Sequence, residues 1–350
     1  WKENEHRKPL ILQGARQVGK TYSILEFGRI HYENVAYFNF ETNPKLNETF
    51  EEKISPDYLI PILSHIAGQT IVKEKTLIVF DEVQLCERAL TSLKYFCEDA
   101  PDYHIIVAGS LLGVAVNRAK FSFPVGKVDM KTLYPMDMEE FMIAVGEDEL
   151  VEQIKKCFET NRPMPSALHD AAMQLYRQHL AVGGIPECVM QFVQTGDYIL
   201  IRHTQDTILT SYLNDMSKYN NLNEIKKTRL AYDNITVQLS KKNTRFQYKL
   251  IKKGGRASEF ENAIEWLCLS GIVSQVYRVE QIKKPLENYR DIDAFKIYVS
   301  DLGLLCAKKD LAANDILYMV EELNDFKGGM TENYVNVQLS INGYHTYYWE

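Results

Sequence analysis

Residues 14–21 read Gly-Ala-Arg-Gln-Val-Gly-Lys-Thr and fit the pattern G-x-x-x-x-G-K-[ST] at every fixed position. The apolar residues 9–13 before them are typical of a strand, and residues 22–27 after them can continue as a helix. Gly14 and Gly19 allow backbone angles and a close approach that a side chain would block. The N–H groups of such a turn point at an anion, at the positive end of the helix. The segment therefore predicts a strand, a phosphate-binding loop and a helix, in this order.

The same loop predicts the chemistry of its ligand. The ammonium group of Lys20 can reach the β- and γ-phosphates of ATP, and the hydroxyl of Thr21 can bind Mg²⁺. A turn that binds nothing is the alternative, and the flanking strand and helix patterns argue against it. We expect the nucleotide to contact Gly14, Ala15, Arg16, Gln17, Val18, Gly19, Lys20 and Thr21.

A second pattern lies downstream, where residues 77–82 read Leu-Ile-Val-Phe-Asp-Glu. An apolar strand that ends in two acids is the Walker B pattern, and it would carry Asp81 to the edge of the sheet where the loop lies. Asp81 can then hold Mg²⁺, and Glu82 can polarise the attacking water as a general base. By itself the pattern also fits a strand that ends in a solvated acid pair.

Two further roles have candidates only. The apolar run 105–108 ends at Gly109 and Ser110. In ATPases with an extra strand between the two Walker strands, this position holds a polar sensor of the γ-phosphate, so Ser110 is the candidate. A Gly-Ser turn that closes a buried strand is the alternative.

An arginine that stabilises the transferred phosphoryl group is also expected, and the spacing does not choose among Arg16, Arg88, Arg118 and Arg177.

Residues 1–135 alternate short apolar runs with helical patterns. The predicted strands are residues 10–12, 35–40, 77–80, 105–108 and 128–133. The predicted helices are residues 22–27, 57–66 and 89–98. Alternation of this kind predicts an α/β P-loop core, which is a parallel sheet flanked by helices.

The pattern becomes helical after residue 135. Periodicity in residues 137–145, 149–158, 166–180 and 197–216, broken by turn residues 182–187, predicts a helical lid or connector over residues 136–220. Residues 221–310 show helices at 225–239 and 258–270 and strands at 272–277 and 295–299, which is the order of a winged helix-turn-helix. Residues 311–350 begin a further module, in which residues 345–349 predict a strand.

A basic segment lies inside the predicted winged helix. Residues 241–256 contain seven basic residues and no acid. In that fold such side chains can bind the phosphates of DNA rather than its bases. A solvated charged face fits the same residues, and both interpretations stay open. The candidates for DNA contact are Lys241, Lys242, Arg245, Lys252, Lys253 and Arg256.

Composition limits the partners and the compartment. The 350-residue chain has a net charge of −7, so it is not a generic binder of polyanions. No apolar run is long enough to span a membrane, and no signal peptide is visible, although the sequence starts at Trp1 rather than Met. The six cysteines form no C-x-x-C pair, which favours free thiols in a reducing cytoplasm over a zinc site or disulfides.

Several stretches together resemble one group of proteins. They are residues 7–21, 80–84, 108–113, 123–128, 183–187, 295–305 and 329–335. In combination they resemble the prokaryotic predicted AAA-type ATPases of the archaeal-ATPase-like kind, which carry a C-terminal conserved region of unknown function. The resemblance covers nearly the whole chain.

This resemblance implies an ATPase core, a helical lid with the Gly-Gly-x-Pro turn, a winged helix and a module similar to PD-(D/E)XK nucleases. In such modules a helix glutamate and a later acidic strand hold a metal ion, and Glu332 matches the first position. The later ligands should follow residues 347–349, and the sequence stops at Glu350, so we expect a truncated module with an incomplete ligand set. An acid near the start of a helix is the alternative for Glu332.

We therefore predict an Mg²⁺-dependent ATPase that couples its nucleotide state to a C-terminal region in contact with DNA. A homo-oligomer and a cytoplasmic location are further expectations. One alternative is a nucleotide-sensing, DNA-binding regulator with negligible turnover. Another is a nuclease gated by ATP.

Overall fold

The computed structural model describes residues 1–109, 123–218, 222–239 and 245–350, with only the backbone of Lys218. These residues form two compact units, Trp1–Leu133 and Tyr134–Glu350. The candidates Ser110, Arg118, Lys241 and Lys242 lie outside the described residues. The finer division into four domains stays a prediction.

The first unit is built on a five-stranded sheet. The strands are β1 (Leu10–Gln13), β2 (Asn34–Asn39), β3 (Thr76–Asp81), β4 (His104–Ala108) and β5 (Asp129–Thr132). Their order is β2-β3-β4-β1-β5, and all neighbours are parallel. The predicted parallel sheet is confirmed, and β4 lies between β1 and β3 as the extra strand.

Helices cover both faces of this sheet. They are α1 (Lys20–His31), α2 (Leu46–Glu52), α3 (Pro56–Ala67) and α4 (Glu87–Asp99). On one face, residues of α2, α3 and α4 pack with Phe38 and Phe80, while Ile24 of α1 packs on the other face with Val79. Every residue of β3 and β4 is buried. Burial on both faces explains the unbroken apolar runs that made these strands predictable.

The second unit begins with helices. They are α5 (Met138–Ala144), α6 (Asp148–Glu159), α7 (Ser166–Val182), α8 (Pro186–Thr195) and α9 (Tyr198–Lys218). Four of them match the predicted helical stretches. Helix α8 was not predicted, because the Gly-Gly-x-Pro segment looks like a turn. Pro186 is instead the first residue of α8. Proline favours this position because an N–H there would have no partner within the helix.

The remaining elements are helices and the three strands of a second sheet. They are α10 (Leu222–Leu239), α11 (Tyr248–Ile251), α12 (Ala257–Leu269), β6 (Val273–Val279), β7 (Arg290–Val299), α13 (Leu302–Lys308), α14 (Ala313–Tyr318), α15 (Asn324–Ile341) and β8 (Tyr347–Tyr348). Strand β6 pairs antiparallel with β7 and parallel with β8. Three-residue and four-residue 3₁₀ helices lie at Val83–Leu85, Leu286–Tyr289 and Glu321–Leu323. The winged-helix and nuclease-like assignments stay predictions.

One expectation about Glu332 is wrong. Helix α15 starts at Asn324, so Glu332 lies well inside it and not near its start. Gly328 and Gly329 are both helical. A Cβ on Gly329 would lie 2.0 Å from the carbonyl oxygen of Leu239, so this glycine permits close packing rather than ending the helix.

The second glycine pair, at residues 183–184, surrounds a buried carboxylate. Asp301 is the N-cap of α13 and accepts hydrogen bonds from the N–H groups of Leu304, at 2.8 Å, and of Gly184, at 2.7 Å. A Cβ on Gly183 would lie 2.3 Å from Asp301 Oδ1, and Gly183 has a φ of +78°. Asp301 thus joins the start of α13 to the turn before α8, a contact between residues 117 positions apart.

Candidate nucleotide-binding site

The loop between β1 and α1 has the backbone that its sequence predicts. Gly14 has a φ of +147°, Gln17 of 67° and Gly19 of 90°. A Cβ on Gly14 would lie 2.1 Å from the carbonyl oxygen of Leu133, which follows β5. Gly19 is the N-cap of α1 and offers no side chain to bond the first turn of the helix. The N-terminus of α1 is therefore suited to an anion.

Lys20 lies over this loop. Its Nζ donates hydrogen bonds to the carbonyl oxygens of Gly14, at 3.0 Å, and Ala15, at 2.7 Å. The side chain is buried, and burial lowers its pKa to about 8, although the carboxylates of Glu82 and Asp81 act in the opposite direction. At neutral pH most of the ammonium groups remain charged. The loop thus holds a cation beside the predicted phosphate site.

Asp81, at the end of the predicted Walker B strand, is hydrogen-bonded to the end of the phosphate-binding loop. Thr21 Oγ1, at the start of α1, donates to Asp81 Oδ2 at 2.8 Å, and Tyr37 of β2 donates to the same oxygen at 2.7 Å. Hydroxyl and carboxylate oxygens are the ligands that Mg²⁺ prefers. The residues present therefore fit a magnesium ion, and Thr21 and Asp81 are the ones that would hold it.

Glu82 follows β3 in a left-handed conformation, with a φ of 52°. This conformation is uncommon for a residue other than glycine and often marks a functional site. Gln84, in the 3₁₀ helix Val83–Leu85, donates through Nε2 to the Glu82 carboxylate. Burial raises the pKa of Glu82 above its usual range, and the hydrogen bond from Gln84 opposes that rise. A carboxylate with a raised pKa is a better proton acceptor.

The structure thus brings Lys20, Thr21, Asp81 and Glu82 to one edge of the sheet. Sequence reasoning missed the hydroxyl of Tyr37 and the amide of Gln84. Tyr37 lies in the predicted strand β2, but its contact with Asp81 follows from the register, which aligns Asn39 with Asp81. The order of strands, which makes β2 the neighbour of β3, was not predictable from the residues of β2.

The arginine candidates separate into different environments. Arg88 Nε donates to the carbonyl oxygen of Phe50 at 2.5 Å and lies 4.0 Å from a Glu51 oxygen, so it joins α4 to α2. Arg16 belongs to the loop itself. Arg177 belongs to α7 in the second unit. None of these contacts selects the arginine that would stabilise the phosphoryl group.

Of the described candidates for DNA contact, Arg245 precedes α11, and Lys252, Lys253 and Arg256 lie in the turn before α12. Lys253 and Arg256 are exposed, Lys252 pairs with Glu259 at 2.9 Å, and Arg245 donates to the Asp293 carbonyl oxygen at 3.2 Å. The outward face of α12 carries acids instead. Its exposed side chains include Glu261, Asn262 and Glu265. The exposed basic groups therefore precede the helix and are not on it.

Glu332 is engaged in an ion pair. Its Oε1 accepts a hydrogen bond from Lys296 Nζ at 2.6 Å, and that ammonium group lies 3.9 Å from Glu350. Among the residues that the structure describes, no cluster of three or more His, Cys, Asp and Glu side chains is placed to hold a metal ion. Within the same described ranges, no helix has the length and apolarity needed to cross a membrane.

Comparisons with known proteins agree with this geometry. Residues 6–142 match the family described as an AAA domain, and residues 173–315 match a domain of unknown function. No curated protein matches the chain in sequence.

Two solved structures align with most of this chain. The Walker-type ATPase PABY2304 of Pyrococcus abyssi is 14% identical, with a TM-score of 0.51 over 86% of this chain and 91% of that one. The ORC2 protein of Aeropyrum pernix, solved as ADPNP–ADP complexes, is 12% identical, with a TM-score of 0.40 over 93% and 89%. Residues 6–142 are thus similar in sequence to AAA domains, and the chain is similar in fold to a Walker-type ATPase.

Proposed function

We propose that this chain binds ATP with Mg²⁺ and hydrolyses it by in-line attack of water. The observation that carries the proposal is the 2.8 Å hydrogen bond between Thr21 and Asp81. It joins the end of the phosphate-binding loop to the end of β3, where Glu82 follows. If Asp81 and Glu82 were only a solvated acid pair, Asp81 would not be expected to accept a hydrogen bond from the last residue of such a loop.

Each residue has a defined part in this reaction. The backbone N–H groups of the loop and the ammonium group of Lys20 bind the phosphates. Thr21 and Asp81 hold the metal, which when bound neutralises charge on the phosphate oxygens. Glu82 orients a water molecule and accepts its proton, and its burial supports that role by raising its pKa.

The substitution Glu82→Gln tests this proposal. It keeps the shape of the side chain and removes the base, so we expect ATP to bind as in the wild type while turnover falls about 100-fold or more. Phosphate release and nucleotide binding are measured on the same sample. Glu41→Gln is the matched control, because Glu41 is an exposed acid near Glu82. Wild-type turnover at background, with ATP bound, would favour the nucleotide-sensing regulator instead.

We propose DNA as the downstream partner, contacted through its phosphates. The exposed Lys253 and Arg256 support this, since both lie in the turn before α12. Glu261 and Glu265 on the exposed face of α12 oppose base reading by that helix, because they would repel phosphates.

The substitution Lys253→Glu should weaken DNA binding for all sequences alike and make the affinity less dependent on salt. The affinity is measured by fluorescence anisotropy at several salt concentrations. Lys156→Glu, an exposed lysine of α6, is the control for a general change in charge. Wild-type binding that is absent or independent of salt would reject DNA as a phosphate-bound partner.

A nuclease gated by ATP remains the alternative that the resemblance suggests. It requires Glu332 to bind a metal ion, and in this structure Glu332 bonds to Lys296. DNA cleavage with Mg²⁺ or Mn²⁺ that disappears in Glu332→Gln would favour it. Equal cleavage by both proteins would reject it.

A further inference from the structure

The two acids after β3 are neighbours in sequence, but each is bonded to a different uncharged donor. Asp81 Oδ2 accepts the hydroxyl of Tyr37 at 2.7 Å. The Glu82 carboxylate accepts the amide of Gln84. Neither donor belongs to the two motifs that predict the site. The pair is therefore held by a second set of side chains.

The direction of the Tyr37 hydrogen bond is fixed by Asn39. Asn39 Nδ2 donates to the Tyr37 hydroxyl at 3.2 Å, so the hydroxyl proton is left to bond Asp81. Asn39 is held in turn, since its Oδ1 accepts the N–H groups of Glu41 and Thr42, each at 2.9 Å. A chain of hydrogen bonds thus runs from the end of β2 to the carboxylate of Asp81.

Gln84 is held by other means. The left-handed backbone at Glu82 turns the chain, so the side chain two residues later can reach back to the Glu82 carboxylate. Gln84 is only 9% exposed. Its Oε1 is buried without a partner among the described residues, so the amide is oriented through its bond to Glu82.

We propose that Tyr37 and Gln84 are positioning residues with separate tasks. Tyr37 orients Asp81 towards the metal that accompanies the nucleotide, and Gln84 orients Glu82 towards the attacking water. This inference rests on the proposed ATPase function. Its consequence is that the two side chains affect different measurable quantities.

Tyr37→Phe removes only the hydroxyl. We expect the Mg²⁺ concentration that gives half of the Mg²⁺-dependent gain in nucleotide affinity to rise about 10-fold or more, as is usual for the loss of a partner behind a metal ligand. At saturating Mg²⁺ the kcat should return close to the wild-type value. Binding is measured with a fluorescent methylanthraniloyl ATP, which needs no turnover.

Gln84→Met keeps the length of the side chain and removes the donor. We expect kcat to fall about 10- to 100-fold, because a misplaced base loses its alignment with the water. The Mg²⁺ dependence and the affinity for the same ATP analogue should stay unchanged. Each variant is thus the control for the other. Gln84→Asn is the second variant if Gln84→Met does not fold, and Gln238→Met, at a 2% exposed glutamine in the second unit, controls for burying methionine.

The outcomes separate the inference from the proposed function. A wild-type protein that turns over ATP, with both variants unchanged or both altered in the same quantity, rejects the inference alone. A wild-type protein that binds ATP without turnover rejects the hydrolytic proposal and the role of Gln84. In that case the Mg²⁺ dependence of binding still decides the role of Tyr37: a shift in Tyr37→Phe supports it and no shift rejects it.

Discussion

Two glycine turns of this chain lead into helices, and one holds a carboxylate of the chain while the other holds an ammonium group. The turn at Gly183 and Gly184 precedes α8 and holds Asp301 of the same chain, 2.7 Å from the N–H of Gly184. The turn at residues 14–19 precedes α1 and brings Lys20 Nζ to 2.7 Å from a loop carbonyl. The first arrangement completes the packing of the second unit. The second supplies a cation beside a helix N-terminus, which suits a ligand from solution.

This comparison shows which residues carry the functional argument. A Cβ on Gly14 would meet the carbonyl oxygen of Leu133, and a Cβ on Gly183 would meet Asp301. In both turns, packing alone requires glycine. The glycines therefore do not distinguish a phosphate site from a structural turn. Lys20 and the contact of Thr21 with Asp81 do.

The largest expected effect is on the stability of the turn at Gly183 and Gly184. Gly183→Ala places a Cβ 2.3 Å from Asp301 Oδ1 at a φ of +78°. We expect the free energy of unfolding to fall by roughly 2–4 kcal/mol, from backbone strain and overpacking. Chemical denaturation measures it, and nucleotide affinity of the folded protein should not change. Gly196→Ala is the matched control, because its φ is +64° and nothing lies within 4 Å of its Cβ position. An equal loss in both variants would mean that the backbone angle, and not Asp301, requires the glycine.

In the turn at residues 14–19, a substitution should instead lower the ligand affinity and leave the stability unchanged or higher. Lys20→Ala removes the cation, so we expect ATP affinity to fall about 10- to 100-fold, the loss expected for hydrogen bonds to a charged group. The melting temperature should stay the same or rise, since a buried charge is removed. The exposed Lys45 provides the control substitution, Lys45→Ala. A lower melting temperature of Lys20→Ala with unchanged ATP affinity would make the turn at residues 14–19 structural as well.

A further expected effect depends on pH. Burial raises the pKa of Asp301 from 3.8 to about 6, while the N–H groups of Leu304 and Gly184 oppose this rise. The folded state then binds the proton more tightly than the unfolded state, so the stability from this group is greatest at low pH. It should decline as pH rises from about 4 to about 6 and then stay constant. Denaturation of wild type and Asp301→Asn across this range gives the difference. A difference that does not vary with pH would mean that Asp301 titrates alike in both states.

The sequence was informative where one strand or one loop determines the structure. The sheet of the first unit was predicted because β3 and β4 are buried on both faces and read as apolar runs. Helix α2 was missed, since it is short and only Leu46 and Phe50 of its residues are buried. The loop, Asp81 and Glu82 were predicted from local patterns.

Contacts between distant parts of the chain were not predictable. The roles of Asp301, Tyr37 and Asn333 depend on partners far away in sequence. Asn333, for example, bonds both the N–H and the carbonyl oxygen of Val299 at 2.8 Å. No spacing rule brings such residues together, because their distance is set by packing and by the order of strands.

The central claim is that residues 14–21 bind the phosphates of a nucleotide. Calorimetric titration of the wild-type protein with ATP, ADP and adenosine, each with Mg²⁺, tests it most directly. The account predicts binding of ATP and ADP, little or no binding of adenosine, and weaker binding of ATP by Lys20→Ala. Adenosine that binds as tightly as ATP, or no binding of any of the three, would contradict it.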